Sequence, residues 1–421
     1  MTHTVITFLG IRPQQTTYRY EGKKYQGRVF AEAMLQFLTF DRMLVLTTRE
    51  ADQVYPILEE QNDPRIQKVS IPTGRDNDEM WDIFDRVIEH IQEGEEVTFD
   101  ITHGLRSIPF LAFLFAAYLK SAKNVTLRAI LYGALDLKEK VDGEDVAPVL
   151  DLSRFAAMLD WINASDQFVQ TGNANRLAQL LANVNENEQK RAAETLQEIS
   201  QAAFLCQPIS LMQASMSLPA ELERAANSFS HTSQPFRVLS EKINGVFKQF
   251  ALADPLNKPV EFIRREWRLI EWYREHGQLL QAITLAREVM LDAVGYRLEG
   301  KVDLNRNQRE AIERGVSGIA KIGQKIYDET LGEKRKYGEN DLKADSSVGL
   351  KIHQNWEDAP EIRRTFNKLA NIRNQLNHAE HHVNPMELRN VIKGIPGVLS
   401  NLEALLKKWD ILETNQDSLP L

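Results

Sequence analysis

Short apolar runs alternate with helical patterns through the first third of the chain. Residues 5–9, 43–46, 66–71, 97–102 and 125–132 are rich in apolar and β-branched side chains and read as strands. Between them, residues 28–40, 51–61, 76–92 and 108–122 place apolar side chains at helical spacing. Strands alternating with helices of this length predict right-handed βαβ units and a mostly parallel sheet. The expected fold is α/β followed by all-α, with a Rossmann-like domain over residues 1–152. Residues 131–152, with Asp142-Gly143 between apolar runs, read as a hairpin closing that domain.

Beyond Ser153 the strand signal disappears. Amphipathic helices are expected at 155–168, 176–184, 188–205 and 238–250, and Asp254-Pro255 and Lys258-Pro259 punctuate the chain after them. From residue 260 the pattern is helical again, at 262–275, 279–298, 309–328, 363–377 and 386–409. Residues 332–349, with Gly332, Gly338, Gly349 and many charges, read as a mobile loop. Three regions follow: 1–152, a helical connecting and dimerising region at 153–259, and a second helical domain at 260–421.

Length agrees with this division, since 421 residues are several times the ~150 expected of one domain. With 51 Lys+Arg against 59 Asp+Glu the formal charge is −8, which gives no bulk attraction to nucleic acid or anionic membrane. Divided, residues 260–421 hold 25 basic and 25 acidic side chains, so the whole surplus lies in residues 1–259. The balance argues only against broad, tight RNA binding. A single cysteine, Cys206, excludes an intrachain disulfide framework and suits a reducing cytoplasm; its expected role is a small buried hydrophobe. No basic segment precedes the first apolar run, so no secretory signal is expected. The longest strongly apolar stretch, 108–119, is short of the ~20 residues that span a bilayer, and no membrane partner is expected.

Candidate chemistry sits first at strand ends. In an open parallel sheet, ligands bind beyond the carboxyl ends of the strands. Gly10 and Arg12 follow the first strand, with a polar stretch through Thr16, Thr17, Tyr18 and Arg19. After the fourth come Thr102, His103, Gly104, Arg106 and Ser107, with a helix starting near Pro109. Gly104 admits close backbone approach, Ser107 can cap the helix, and the helix start favours an anion. Arg106 and Thr102 offer donors, and His103 can stack on or bond to a base. The same residues also suit a ligand-free, well-capped turn. No GxGxxG or P-loop signature is present, so neither dinucleotide nor ATP is indicated.

Asp100-Ile101-Thr102-His103-Gly104-Leu105-Arg106-Ser107 resembles the D-x-T-H-G strand-end motif of CARF domains, the CRISPR-associated Rossmann-fold sensors of cyclic oligoadenylate, and Phe8-Leu9-Gly10 is similar to their first-strand end. The resemblance covers about a third of the chain. It implies a cyclic oligoadenylate site at Gly10, Arg12, Thr102, His103, Gly104, Arg106 and Ser107.

A second constellation lies in Ala370-Asn371-Ile372-Arg373-Asn374-Gln375-Leu376-Asn377-His378. An Arg and a His five apart arise often by chance, so the spacing alone decides little. Chemically the pair suits metal-independent RNA cleavage. The 2′-OH attacks the adjacent phosphate, His transfers protons and Arg stabilises the developing charge. On a helix five residues turn through ~140°, so one pair does not converge on a phosphate. Two copies across a two-fold axis do, which implies a homodimer or a higher assembly. His378, Glu380, His381 and His382 lack an H-E-x-x-H order and a third ligand, so no metal is expected.

This arrangement resembles the HEPN ribonucleases, whose R-x(4–6)-H motif lies at a dimer interface. Glu271-Trp272-Tyr273, Gln278, Gln281-Ala282 and Ala286-Arg287-Glu288 look like the early HEPN helices of CRISPR-associated members. The resemblance covers residues 260–421 and implies catalysis by Arg373, Asn374 and His378, with a 2′,3′-cyclic phosphate product and no cofactor beyond the activator. A CARF domain followed by a HEPN domain is the layout of ancillary ribonucleases of type III CRISPR systems. It implies antiviral cleavage of single-stranded RNA, switched on by a cyclic oligoadenylate, with cyclic tetra-adenylate the expected ring. The rivals are a non-catalytic sensor whose helical domain recruits a partner, and a CARF pocket that also degrades its activator. Trp267, Trp272 and Tyr273, at helical spacing, are expected in the core rather than on a nucleic-acid platform. Arg363, Arg364 and Lys368 suit RNA phosphates and a solvated face equally. Arg287 and Glu288 are expected to form a buried polar pair.

Overall fold

The computed structural model describes residues 1–103, 107–141, 143–182, 187–228, 233–302, 305–328, 332–377 and 386–413. The chain divides into two compact units, Met1–Trp161 and Ile162–Leu421.

Unit one is a mixed sheet flanked by helices. In chain order its elements are β1 (His3–Phe8), β2 (Thr16–Tyr20), β3 (Lys23–Gly27), α1 (Phe30–Phe37), β4 (Arg42–Thr47), α2 (Pro56–Glu59) and β5 (Ile66–Ser70). There follow α3 (Asn77–His90), β6 (Glu96–Asp100), α4 (Ser107–Ala122), β7 (Thr126–Gly133), β8 (Glu139–Val141), β9 (Glu144–Asp151) and the start of α5 (Ser153–Thr171). The strand order is β3-β2-β9-β7-β6-β1-β4-β5, with β8 beside β9. Strands β7, β6, β1, β4 and β5 are parallel neighbours. The chain winds outward from β1 through β4 to β5, then returns to β6 on the other side of β1. That reversal places a crevice between the carboxyl ends of β1 and β6.

Alternation along the strands splits the apolar side chains between two cores. Ile6, Phe8, Leu44, Leu46, Val97, Phe99 and Ile130 pack under α3 and α4 on one face. Val5, Leu9, Met43, Val45, Ala129 and Leu131 pack with α1 and α2 on the other. Burial on both faces explains the near-continuous apolar runs of the central strands. Helix α4 sends Ala112, Phe115 and Leu119 into the core and leaves Phe110, Leu114 and Tyr118 exposed.

Unit two is largely helical. After the rest of α5 come α6 (Asn175–Ala182), α7 (Asn187–Phe204), α8 (Pro208–Ser228), α9 (Ser233–Phe247), α10 (Pro259–Glu275), α11 (Leu279–Glu299) and α12 (Arg306–Lys321). The hairpin β10 (Lys325–Asp328) and β11 (Glu333–Lys336) precedes α13 (Glu339–Asp345), α14 (Ser347–Asn355), α15 (Ala359–Asn377) and α16 (Leu388–Lys408). Phe168 stacks on Phe247 at 4.6 Å, and Phe247 and Phe250 both pack against Trp272. Trp267, Trp272 and Tyr273 are all buried, as core residues. Cys206 is only half-buried, yet burial and nearby Glu266 and Glu288 push its thiol up to about 12, which leaves it unreactive.

Several expectations are corrected. The polar stretch after the first strand is not a loop: residues 16–20 form β2, where Tyr18 is fully buried. Charged and polar neighbours hid its two inward-facing rings, Tyr18 and the partly buried Tyr20. The closing hairpin is β8–β9, and β9 runs antiparallel to β7 but parallel to β2. Residues 51–61 split into a 3-10 turn (Ala51–Gln53) and the short α2. Helix α8 was missed because Pro219 lies within it. Strands do recur after Ser153: helix α12 stops at Lys321, and the expected loop at 332–349 is β11, α13 and the start of α14. Gly349 owes its presence there to a close helix approach, since a Cβ on it would lie 2.9 Å from the Gly315 carbonyl oxygen.

Candidate functional site

Buried polar side chains build the crevice between β1 and β6. Asp100, the last residue of β6, is wholly buried. Its carboxylate accepts the Thr7 hydroxyl of β1 at 2.6 Å and the Thr102 backbone N–H at 2.7 Å. One side chain therefore joins the two central strand ends and turns the chain out of the sheet. The Thr102 hydroxyl oxygen accepts the N–H of Gly133 at 2.7 Å, which ties the same turn to β7. Burial raises the Asp100 pKa, against the pull of His103 and the bonds from Thr102 and Thr7.

His103 turns inward. Its Nε2 accepts the N–H of Phe30, the first residue of α1, at 3.3 Å. Burial lowers its pKa, opposed by Asp100, in keeping with a neutral ring that accepts. Gly10 fits against this ring, since a Cβ there would stand 3.2 Å from His103 Cβ. The first and second loops thus touch through Gly10 and His103. Arg12 is exposed beyond them. Ser107 opens α4 by its backbone, while its side chain, Gly104 and Arg106 lie outside the described residues. Of the seven residues named for the ligand, Gly10, Thr102 and His103 are brought together. Asp100, which organises them, drew notice in the sequence only as the start of the motif.

In unit two, α15 buries Ile362, Thr365, Phe366, Leu369 and Ile372 and keeps Arg373 and Asn374 half-exposed at its carboxyl end. The Arg373 guanidinium donates to Asn374 Oδ1 at 3.5 Å. Gln375 Oε1 accepts the Met386 N–H at 3.2 Å, which ties the end of α15 to the approach to α16. His378, Glu380, His381 and His382 lie outside the described residues. Among the described residues no group of three His, Cys, Asp or Glu could hold a metal ion, and no helix is long and apolar enough to cross a membrane.

A partly buried polar network lies behind α15. Arg287 bonds Glu288 at 2.7 Å, pairs with Glu313 and sits over the Phe366 ring. Arg309 bonds Asp292 at 2.5 Å and Glu288 at 2.6 Å. Glu266, beside Asp292, is 2% exposed, and its Oε2 has no hydrogen-bond partner among the described residues. Burial and the neighbouring carboxylates raise Glu266 well above the usual range, and burial holds Asp292 at about 6 despite Arg309. The expected Arg287–Glu288 pair forms, but it is not buried as a pair: Arg287 is largely covered while Glu288 is partly exposed. Arg309, Asp292 and Glu266 were missed, although Asp292 interrupts the apolar run 289–294.

The doubly wound sheet, with its strand-end turn at the reversal point, defines a Rossmann-like α/β domain. Residues 4–136 match the family model of the CARF domain of the CRISPR system endoribonuclease Csx1, so this part of the chain is a CARF domain. Residues 157–254 match the model of the second domain of CRISPR-associated protein MJ1674. The Methanocaldococcus jannaschii protein of that description is 38% identical over 133 residues, 31% of this chain and 20% of its own length. The match thus spans about a fifth of that relative. Among solved structures, Enterococcus italicus Csm6 bound to cyclic hexa-2′-fluoro-hexa-dAMP matches 99% of this chain and 96% of its own at 11% identity and a TM-score of 0.44.

Proposed function

We propose that the protein is a ribonuclease switched on by a cyclic oligoadenylate, cyclic tetra-adenylate in first place, and that it cuts single-stranded RNA in type III CRISPR defence. The observation that carries the reading is the Asp100–Thr102–His103 turn, set at the reversal point of a sheet that matches a CARF model. A ring of adenylates offers phosphates to the start of α4 and to Arg12 and Arg106, and bases to the face of the Gly10–His103 contact. Residues 260–421 act in this reading as a HEPN domain in the cytoplasm, and residues 153–259 connect and dimerise.

Catalysis falls to Arg373, Asn374 and His378 of two chains. Were the helical spacing to continue to His378, one pair would stand ~140° apart, so in this reading a two-fold partner supplies the groups facing it. His378 takes the proton from the 2′-OH or gives one to the leaving 5′-oxygen, and Arg373 neutralises the phosphorane-like charge, leaving a 2′,3′-cyclic phosphate with no metal required. The exposed stripe of Phe110, Leu114 and Tyr118 on α4 supports self-association. Ligand switches the enzyme by binding the active arrangement of the dimer better than the inactive one.

The test is a fluorogenic RNA assay with and without cyclic tetra- or hexa-adenylate. His378→Ala and Arg373→Ala are expected to lower ligand-stimulated cleavage by at least ~10³-fold, as loss of acid–base or charge-stabilising groups does, and to leave ligand affinity unchanged. Undiminished cleavage by His378→Ala removes the catalytic assignment. No stimulation by either ring favours a non-catalytic sensor.

A further inference from the structure

Strands β10 and β11 pair Lys325 with Lys336 and Tyr327 with Lys334. These four residues share one face of the hairpin, and all four are exposed. The opposite face is neutralised: Arg335 bonds both oxygens of Asp341, at 2.5 and 2.6 Å, and pairs with Asp328. On the exposed face, none of the three lysines is ion-paired among the described residues, and two of them stand directly opposite each other. Like charges in that position weaken a two-stranded ribbon, which is marginal to begin with. Placing every acid of the pair on one face and every lysine with an exposed ring on the other suits a polyanion carrying aromatic bases.

The root of the hairpin is fixed to the helix that carries Arg373. Gly323 and Gln324 continue the ladder to Tyr337, each through a 2.8 Å bond. Asn367 of α15 donates to the Ala320 carbonyl at 2.8 Å, and the Arg363 guanidinium lies over Gly323. Asn367 precedes Arg373 by six residues, ~9 Å along the helix. Arg364 and Lys368 are exposed on α15 over the same stretch.

We propose that the Lys325–Tyr327–Lys334–Lys336 face of the hairpin is a binding site for single-stranded RNA outside the cleavage site, holding a few nucleotides of substrate by phosphate contacts and one stacked base. The inference rests on the ribonuclease reading for its biological sense, but its test is one of binding. Full-length His378→Ala protein, which should bind without cutting, is titrated with a short fluorescein-labelled RNA across a potassium chloride series, with and without cyclic tetra-adenylate. Adding Lys325→Ala, Lys334→Ala and Lys336→Ala together should raise Kd roughly tenfold or more and reduce the salt slope by about 2, the share of three phosphate contacts on a single strand. Replacing the same lysines by arginine should preserve both. Tyr327→Ala should weaken binding with the slope unchanged, and Tyr327→Phe should restore it. Unchanged affinity and slope in the triple variant, or no RNA binding by the parent protein, overturns the site and leaves the face to an acidic protein partner. A wild-type chain that binds RNA through these lysines yet never cuts it upholds the site and overturns only the catalytic reading.

Discussion

Glu266 brings a carboxyl group into the core of unit two, beside Asp292 and Glu288, with one oxygen unpaired among the described residues. Its folded pKa stands above the ordinary value, so the native state keeps a proton that the unfolded chain releases. Stability from this group is present below the ordinary carboxylate range and is lost as pH rises toward the folded pKa. Asp292, at about 6, acts in the same direction. Glu266→Gln should therefore stabilise the protein more at pH 8 than at pH 5, by of order 1 kcal/mol for each unit separating the folded and unfolded pKa values. Thermal unfolding at the two pH values measures this, and an equal shift at both shows the group ionised in the fold. At the same scale, Asp100, Thr102 and His103 were legible as a motif, but not their division of labour. Thr102 spends its hydroxyl's acceptor capacity on Gly133, and His103 its Nε2 on Phe30. Those bonds join residues 31 and 73 positions apart, which no local spacing encodes.

At the scale of elements, glycines carried the most misleading signal. Gly332, Gly338 and Gly349 among charges suggested a loop, yet Gly349 lies inside α14 against α12. A Cβ at Gly349 would meet Gly315 backbone at 2.9 and 3.1 Å and Leu342 Cδ1 at 2.8 Å. Backbone cannot step aside as a side chain can. Gly349→Ala is therefore expected to cost about 1–3 kcal/mol by overpacking, read as a lower melting temperature, whereas Gly397→Ala in α16 should cost nothing, because no atom crowds that helical position. The central strands and most helices were legible because their hydrophobic periods are strong. Strand β2 and the β10–β11 hairpin were not, because mostly polar strands on short ribbons carry little periodic signal.

For the whole molecule, the proposed composite site makes activity a property of two chains. Ligand-stimulated RNA cleavage per chain should fall on dilution below the dimer dissociation constant, and sedimentation on the same dilution series should show the mass falling in step. Constant specific activity across dissociation places the whole site in one chain. The amino-acid sequence by itself determined the alternation of a parallel α/β unit with a helical one, and the loop at the end of β6. Hydrophobic period and turn chemistry are local, and each segment carries its own copy. Only the tertiary structure decided which strand ends share the crevice, which cations the acids of unit two neutralise, and which lysines are left facing outward together. Those outcomes depend on register and on helix crossings between residues far apart in the chain, where burial and charge are set by neighbours the local sequence does not name.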